Sequence, residues 1–440
     1  MASPEKRRRL LIVSPSFPPI NTPDMQRVRM SLPHYIEHGW EPVVLAIEPA
    51  KHGGPSDVNL EATVPSGVRI YHTSAISRRC ARWFGIGNLG LRAWWNLLVA
   101  GATIIKKEQI DLVFFSNTQF ITFTLGRIWR CWLGVPFVID LQDPWRTDYY
   151  TGARKQERPG GWKYTFAQLQ ARFLEGWSMR RMSALMSVSP QYIDDLRHRY
   201  RWFKDIPTGV IGFGTSEADL AAALKTPAVS ITHHSHRVRI ISTGAAGPIM
   251  QPALHVLFDG FSAFTSTTPG SDLGFEFYGT SYAPAQNAQP SVLPLAQNLG
   301  VIKFVSEIPT RLGHLESMRM QTEANALLLL GTTDPNYAAS KLYPYFLSGR
   351  PMLAVLLRGS LLEQQVRALS CATVITFDES GATGETRAQL QAFFTTAVAG
   401  FPKEKLPERN EELFRREYFA PNLTARQCAL LDAALDYQSK

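Results

Sequence analysis

The stretch from Ala326 to Leu357, ALLLLGTTDPNYAASKLYPYFLSGRPMLAVLL, constrains the fold of this chain more than any other. It reads as strand, loop, helix, turn, strand. Ala326–Leu330 is an apolar run long enough for a buried strand and too short for a helix. Gly331–Tyr337 mixes Gly, Pro, Asn and Asp and reads as loop. Ser340 is the expected cap of a helix that begins at Lys341. Pro344 falls near its first turn, where a missing N–H costs little. Gly349 caps the C-terminal end, Pro351 stops the helix, and Met352–Leu357 is a second buried strand. Such a unit belongs to a parallel sheet whose ligand sits beyond the carboxyl ends of the strands. The helix start offers free backbone N–H groups and a positive dipole end. Lys341 adds a full positive charge there, so the unit reads as an anion cradle.

The start of the chain repeats the pattern. Leu10–Val13 is a buried strand, SPSFPPINTPDMQRVR is a Pro-rich loop leading into a helix through His38, and Pro42–Ile47 is the next strand. That order is Rossmann-like. Further strands are expected at Val68–His72, Ile110–Ser116, Pro136–Leu141, Ala184–Val188, Ile206–Gly214, Val238–Ser242, Gly274–Tyr278 and Asn298–Val305. Helices are expected at Trp162–Met182, from near Ser189, from near Thr310 and from Pro407 onward.

Three segments carry a resemblance. SKLYPYFLSGRPMLAVL resembles the segment of family 4 glycosyltransferases that usually reads S-K-L-F-E-Y-x-A-x-G-K-P. DLQDPW, Asp140–Trp145, resembles their D-L-R-D-P-W, with Gln142 in place of the Arg. The opening strand and Pro-rich loop resemble their start, although Ile20–Asp24 lacks the usual glycine pair. The resemblance implies an α/β chain of the GT-B fold class, two Rossmann-like domains facing across a cleft. It places an acceptor domain at 1–215, a linker at 216–236, a nucleotide-sugar donor domain at 237–405 and a helical segment at 406–440 that packs back on the first domain.

The site residues follow from the same resemblance. Lys341 is the electrostatic partner of the donor diphosphate, and Asp143 orients or deprotonates the acceptor hydroxyl. The donor contacts are Thr243 and Gly244 through their backbone, Glu307 and Ile308 around the base, and Asn336, Tyr337, Ser340 and Tyr343. Gln26, Arg27, Asp140 and Arg146 line the acceptor side. Bland alternatives stand beside these: Asp140 and Asp143 as caps of the following turn, and Gln26, Arg27 and Arg29 as a solvated helical turn. The family's paired glutamates fall at Asn336 and Pro344 here, and no Lys or Arg occurs between Gly244 and Phe264. Sugar transfer in cell-envelope or exopolysaccharide assembly is the expected function. A non-catalytic binding or scaffold protein of the same fold, and a sugar-nucleotide epimerase, are the alternatives. A retaining, metal-independent reaction without a cofactor is implied, because helix dipoles and basic groups stabilise the leaving diphosphate in this fold.

Composition bounds the setting. The chain has 440 residues, enough for two to three domains, and 45% of them are apolar. Cys80, Cys131, Cys371 and Cys428 have no metal-ligand spacing and fit a reducing compartment. Arg7–Arg9 before Leu10–Val13 is too short in its apolar part for a signal peptide. No run approaches a membrane span. A net charge of +9 suits anionic partners, but no nucleic-acid motif is present. Trp83, Phe84, Leu91, Trp94, Trp95, Leu97 and Leu98 interleave with Arg78, Arg79, Arg82, Arg92, Lys106 and Lys107. That reads either as a helix lying on an anionic membrane surface or as an amphipathic helix packed on the domain. The expected partners are a nucleotide-sugar donor and a glycan or lipid-linked acceptor. The expected location is cytoplasmic, peripheral on the inner face of the plasma membrane. His233, His234 and His236 read as loop histidines rather than metal ligands.

Overall fold

The computed structural model describes residues 7–83, 86–146, 161–227, 236–281, 283, 285–378, 381, 383–402 and 406–438, with backbone alone at 161–168, 285 and 438. The chain forms two compact units: Met1–Gly214 together with Glu417–Lys440, and Thr215–Arg416.

The first unit is built on seven parallel strands, β1 (Arg8–Val13), β2 (Trp40–Ile47), β3 (Arg69–Thr73), β4 (Leu112–Ser116), β5 (Phe137–Leu141), β6 (Ala184–Ser187) and β7 (Thr208–Val210), in the order β3-β2-β1-β4-β5-β6-β7. Side chains alternate between two apolar layers, as a period of two requires. Leu11, Val13, Val113, Phe115, Phe137 and Ile139 face one layer, and Leu10, Ile12, Leu112, Phe114 and Val138 the other. Helices Leu89–Lys107 and Phe123–Leu133 cover the first layer. They approach closely because Gly101 leaves room for Trp129, whose ring would lie 2.2 Å from a Cβ at that position. The second layer is covered by helix Gln26–Ser31 and by the last helix, Ala420–Gln438, which buries Leu423, Leu430, Leu431 and Ala434. Tyr35 and Trp40 donate to Gln427 Oε1 at 2.9 Å and Asp432 Oδ1 at 3.0 Å of that helix.

The second unit has six parallel strands, β8 (Val238–Thr243), β9 (Leu273–Tyr278), β10 (Val305–Ile308), β11 (Ala326–Leu330), β12 (Met352–Leu357) and β13 (Thr373–Phe377), in the order β10-β9-β8-β11-β12-β13. Both sheets therefore share the Rossmann order. In each, the first strand and its neighbour (β1 with β4, β8 with β11) send the chain in opposite directions along the sheet. The crevice at their carboxyl ends is the topological switch point where ligands bind in such folds.

Several expected boundaries move. Helix Gln26–Ser31 stops well before His38, because Pro33 has no N–H to continue it, and a 3-10 turn at Ile36–His38 follows. Asn298–Val305 is not a strand: a short helix Leu293–Asn298 precedes it, Gly300 turns with φ +71°, and only Val305–Ile308 pairs with β9. The helix expected near Thr310 starts at His314, where Glu316 accepts from the Gly313 N–H at 3.0 Å. Part of the expected linker is helical, at Glu217–Lys225, capped by Ser216 and placed in the second unit. Residues 228–235, with His233 and His234, lie outside the described residues, as does Phe84. His236 stacks on Phe304 at 5.8 Å and sits 3.4 Å from Asp272. The four cysteines are free thiols.

Candidate active site

At the switch point of the second unit, the loop after β8 meets the loop after β11. Gly244 adopts φ +89°, a left-handed conformation that a side chain would strain. Its open Cβ side faces Lys341, with Nζ 3.7 Å from where that atom would stand. The Lys341 ammonium has one long contact, to Ala245 O at 3.4 Å, and no carboxylate partner among the described residues. Desolvation pushes its pKa down to about 8, so at neutral pH it remains a cation that water stabilises poorly. An anion arriving there gains more than it would at a hydrated lysine.

The backbone cradle is narrower than expected. The Thr243 N–H donates to Tyr345 Oη at 2.7 Å, Gly244 to Tyr278 O at 2.7 Å and Ala246 to Thr280 O at 3.2 Å. Thr243 Oγ1 also accepts from Gln321 at 3.0 Å. Thr243 is thus a buried part of the fold. The Ala245 N–H is the amide of this turn without a partner among the described residues. Tyr345 is fully buried, and burial raises its phenol well away from ionisation.

The other donor-side candidates divide. Helix Leu342–Leu347 starts one residue later than expected, with Lys341 itself at the cap position. Ser340 is exposed and caps nothing, because the Leu342 N–H turns back onto Ala339 O at 3.0 Å. Asn336 is exposed on the loop, held by its N–H donated to Asp334 at 2.9 Å. Tyr337 packs partly against the unit's core, and Tyr343 is buried in it, so Tyr343 is not an open hydroxyl partner. Glu307 is a clamp: its carboxylate accepts from the N–H groups of Ser291, Val292 and Leu293, each at 2.9 Å, and from the Thr280 hydroxyl. It satisfies the open start of helix Leu293–Asn298. Ile308 closes β10 and accepts the Gly279 N–H at 2.8 Å.

In the first unit, the switch point gathers loops after β1, β2, β4 and β5. Arg27 and Asp140 do not stand at an open edge. Arg27 Nε lies 2.9 Å from Asp140 Oδ2, both are buried, and Arg27 also donates to Ile211 O at 2.7 Å. Ser116 and Gln142 add donors to Asp140 Oδ2 at 2.7 and 3.1 Å. A charge taken out of water needs such a partner. Gln26 is held by Arg29 at 2.6 Å. Arg146 lies near the Tyr200 hydroxyl, whose pKa burial and Glu175 raise and Arg146 lowers, and Trp145 stacks on Phe120 at 5.7 Å.

Asp143 remains exposed, beyond the end of β5. Desolvation first, then the nearby Asp24 carboxylate, raises its pKa above the usual carboxylate range. Asp24 is buried, with the Ser16 and Thr118 hydroxyls 3.4 Å from its Oδ2. Buried His52 joins this group. The Gly54 N–H donated to Nδ1 at 3.0 Å assigns the ring proton to Nε2, which meets Ser16 Oγ at 3.0 Å. Ser16, Asp24, His52 and Thr118 were not apparent from the sequence. They come from three separate loops, and the only local hint was the Gly53-Gly54 turn beside His52. Among the described residues, no three His, Cys, Asp or Glu side chains cluster as a metal site.

Residues 26–214 match the family model described as a glycosyl transferase 4-like domain. Solved structures resemble the chain over nearly its whole length. Sucrose-phosphate synthase from Thermosynechococcus elongatus is 13% identical, with 98% of each chain covered and a TM-score of 0.54. The Anabaena protein HepE, in complex with UDP and glucose, is 12% identical over 97% of this chain and 100% of that one, with a TM-score of 0.57. UDP-GlcNAc 2-epimerase from Methanocaldococcus jannaschii is 12% identical over 97% and 99%, with a TM-score of 0.51. These likenesses establish the fold class, GT-B. No curated protein sequence matches the chain.

Proposed function

We propose that this protein is a glycosyltransferase that moves a sugar from a nucleotide-sugar donor to an acceptor hydroxyl, in cell-envelope or exopolysaccharide assembly. The observation that carries the reading is Lys341: a desolvated ammonium without a carboxylate partner among the described residues, set beside Gly244 at a Rossmann switch point. The acceptor oxygen bonds to the anomeric carbon as the bond from that carbon to the phosphate oxygen breaks. The nucleoside diphosphate leaves with its charge offset by Lys341 and the Ala245 N–H. Asp143, with its raised pKa, orients the acceptor hydroxyl or takes its proton. The reaction is retaining and metal-independent, as the family resemblance implies. The Anabaena neighbour's UDP makes uracil the first base to try.

Calorimetric titration with UDP, GDP and ADP tests this. One nucleotide binds selectively to the protein, and Lys341→Ala weakens it at least about tenfold, the loss of a charge-assisted contact. A folded protein that binds none of the three overturns the reading. A second reading, a binding or scaffold protein without turnover, is favoured by the engaged amides of Thr243, Gly244 and Ala246 and by Pro344 in place of a family glutamate. Nucleotide release with any acceptor, abolished by Lys341→Ala, excludes it.

The proposal includes peripheral attachment to an anionic membrane surface. No helix among the described residues is long and apolar enough to cross a membrane. Leu91, Trp95 and Val99, four apart on helix Leu89–Lys107, are exposed, and so are Trp83 and Trp132. Arg79, Arg82, Lys106 and Lys107 are exposed on the same helices or the one before. Trp94, Leu97 and Leu98 instead face inward, Trp94 donating to Thr124 at 2.8 Å. Exposed aromatic area with cations near it suits a lipid headgroup layer.

A further inference from the structure

Two guanidinium groups converge on the short segment Lys51–Gly53, just after β2 in the first unit. Arg92 is 3% exposed, and its NH2 donates to Lys51 O at 2.6 Å and its Nε to Ile76 O at 2.8 Å. Arg78 lies against Gly53, with Cζ 2.6 Å from where a Cβ would stand. Gly53 is favoured by its φ of +74°. His52 sits between the two contacts and Lys51 projects beside them, exposed. Among the described residues, no carboxylate pairs with Lys51, Arg78 or Arg92. This is unlike Arg27, Arg69, Arg199 and Arg239, each of which has an acidic partner.

Electrostatics point the same way. Arg92 is held below its ordinary range by desolvation first and by Arg78 second. Burial lowers His52 as well; Asp24 opposes this, and Arg78 and Arg92 add to it. Like charges brought together over one loop repel each other unless an anion joins them. Guanidinium groups brought to one short segment match the oxygens of a phosphate. The placement also fits the chemistry described above, since His52 hydrogen-bonds Ser16, which lies against Asp24, whose field reaches Asp143.

We propose that Arg78 and Arg92, with Lys51, form a phosphate subsite of the first unit, so that the acceptor carries a phosphate or diphosphate group. This rests on the glycosyltransferase reading for the word acceptor, but the anion site itself does not. Arg78 is exposed and makes no hydrogen bond among the described residues, so its removal leaves the fold intact, which circular dichroism verifies.

The test is a calorimetric titration with inorganic pyrophosphate in Lys341→Ala protein, which removes the donor-side cation. Pyrophosphate binds to that protein, and adding Arg78→Ala weakens it about tenfold or more. Absence of binding, or equal binding with and without Arg78, overturns the proposal. Two further arms separate the sources of the phosphate. Competition by glucose 1-phosphate indicates a soluble acceptor. Retention on phosphatidylcholine vesicles carrying phosphatidic acid, lost with Arg78→Ala, indicates a lipid one. UDP affinity is measured in Arg78→Ala alone and is unchanged. If UDP fails to bind the unaltered protein while pyrophosphate still depends on Arg78, the donor reading falls and the anion site stands.

Discussion

Lys341 and Asp143 have pKa values moved toward neutrality by the same physical cause, desolvation, and the shifts act in opposite senses on their charge. For Lys341 the folded value of about 8 lies below the ordinary lysine value. The unfolded chain therefore holds more protons between these values, and this group makes the free protein more stable as pH rises through that window. Nucleotide affinity runs the other way. Binding needs the ammonium, so UDP affinity is flat below about pH 8 with respect to this group and then declines, up to tenfold per pH unit. Titrations from pH 7 to 9.5 check this: the decline disappears in Lys341→Met, and a decline that persists there assigns it to another group. For Asp143, the raised carboxyl makes turnover fall as pH drops through its shifted pKa. Asp143→Asn lowers kcat by about 10²–10⁴ and leaves UDP affinity alone. A loss of UDP affinity in that variant removes Asp143 from the acceptor role.

At the scale of elements, the loops do more structural work than their motifs suggest. Glu307 lies where the resemblance puts a base-binding loop, yet its carboxylate holds the start of helix Leu293–Asn298. Gln142, in place of the family's Arg, bridges Asp24 O, Ser116 and Asp140 from one amide. The substitution keeps a donor and removes a charge that Arg27 already supplies to Asp140. Helix Leu89–Lys107 shows how one amphipathic pattern serves two surfaces. Its Leu97, Leu98 and Ile104 enter the core, while Leu91, Trp95 and Val99 stay outside. The outer row gives a prediction at this scale. Trp95→Ala with Trp132→Ala reduces binding to phosphatidylglycerol vesicles about tenfold or more, the loss of two buried aromatic side chains. UDP affinity does not change. Equal sedimentation of variant and parent protein with vesicles rejects the membrane face.

At the scale of the molecule, the last helix completes the first unit. Leu423, Leu430 and Leu431 close the apolar layer beneath β5, β6 and β7. Burial of three such side chains is worth about 1.5–3 kcal/mol each, comparable with the whole stability of a typical domain, about 5–15 kcal/mol. Truncation after Arg416 therefore leaves β5 and β6 without slow-exchanging amides in hydrogen exchange, while β8 and β11 keep theirs. Protected β6 amides in the truncated chain contradict this. The elements themselves were legible in the sequence. Apolar runs such as Leu10–Val13 and Ala326–Leu330 read as buried strands, and the order of strands and helices implied parallel sheets, because local periodicity and turn residues are short-range information. The site was only partly legible. Lys341 and Asp143 were found beside motif residues. Which polar groups remain free was decided by contacts between loops distant in sequence: Arg27 with Asp140, Tyr345 with Thr243, Glu307 with the start of helix Leu293–Asn298, and Arg78 with Gly53. Strand order brings these partners together. A buried charge or amide must find a partner wherever the fold places one; the strands and helices are therefore written in local pattern, while the polar groups left open at the loops depend on contacts between distant segments.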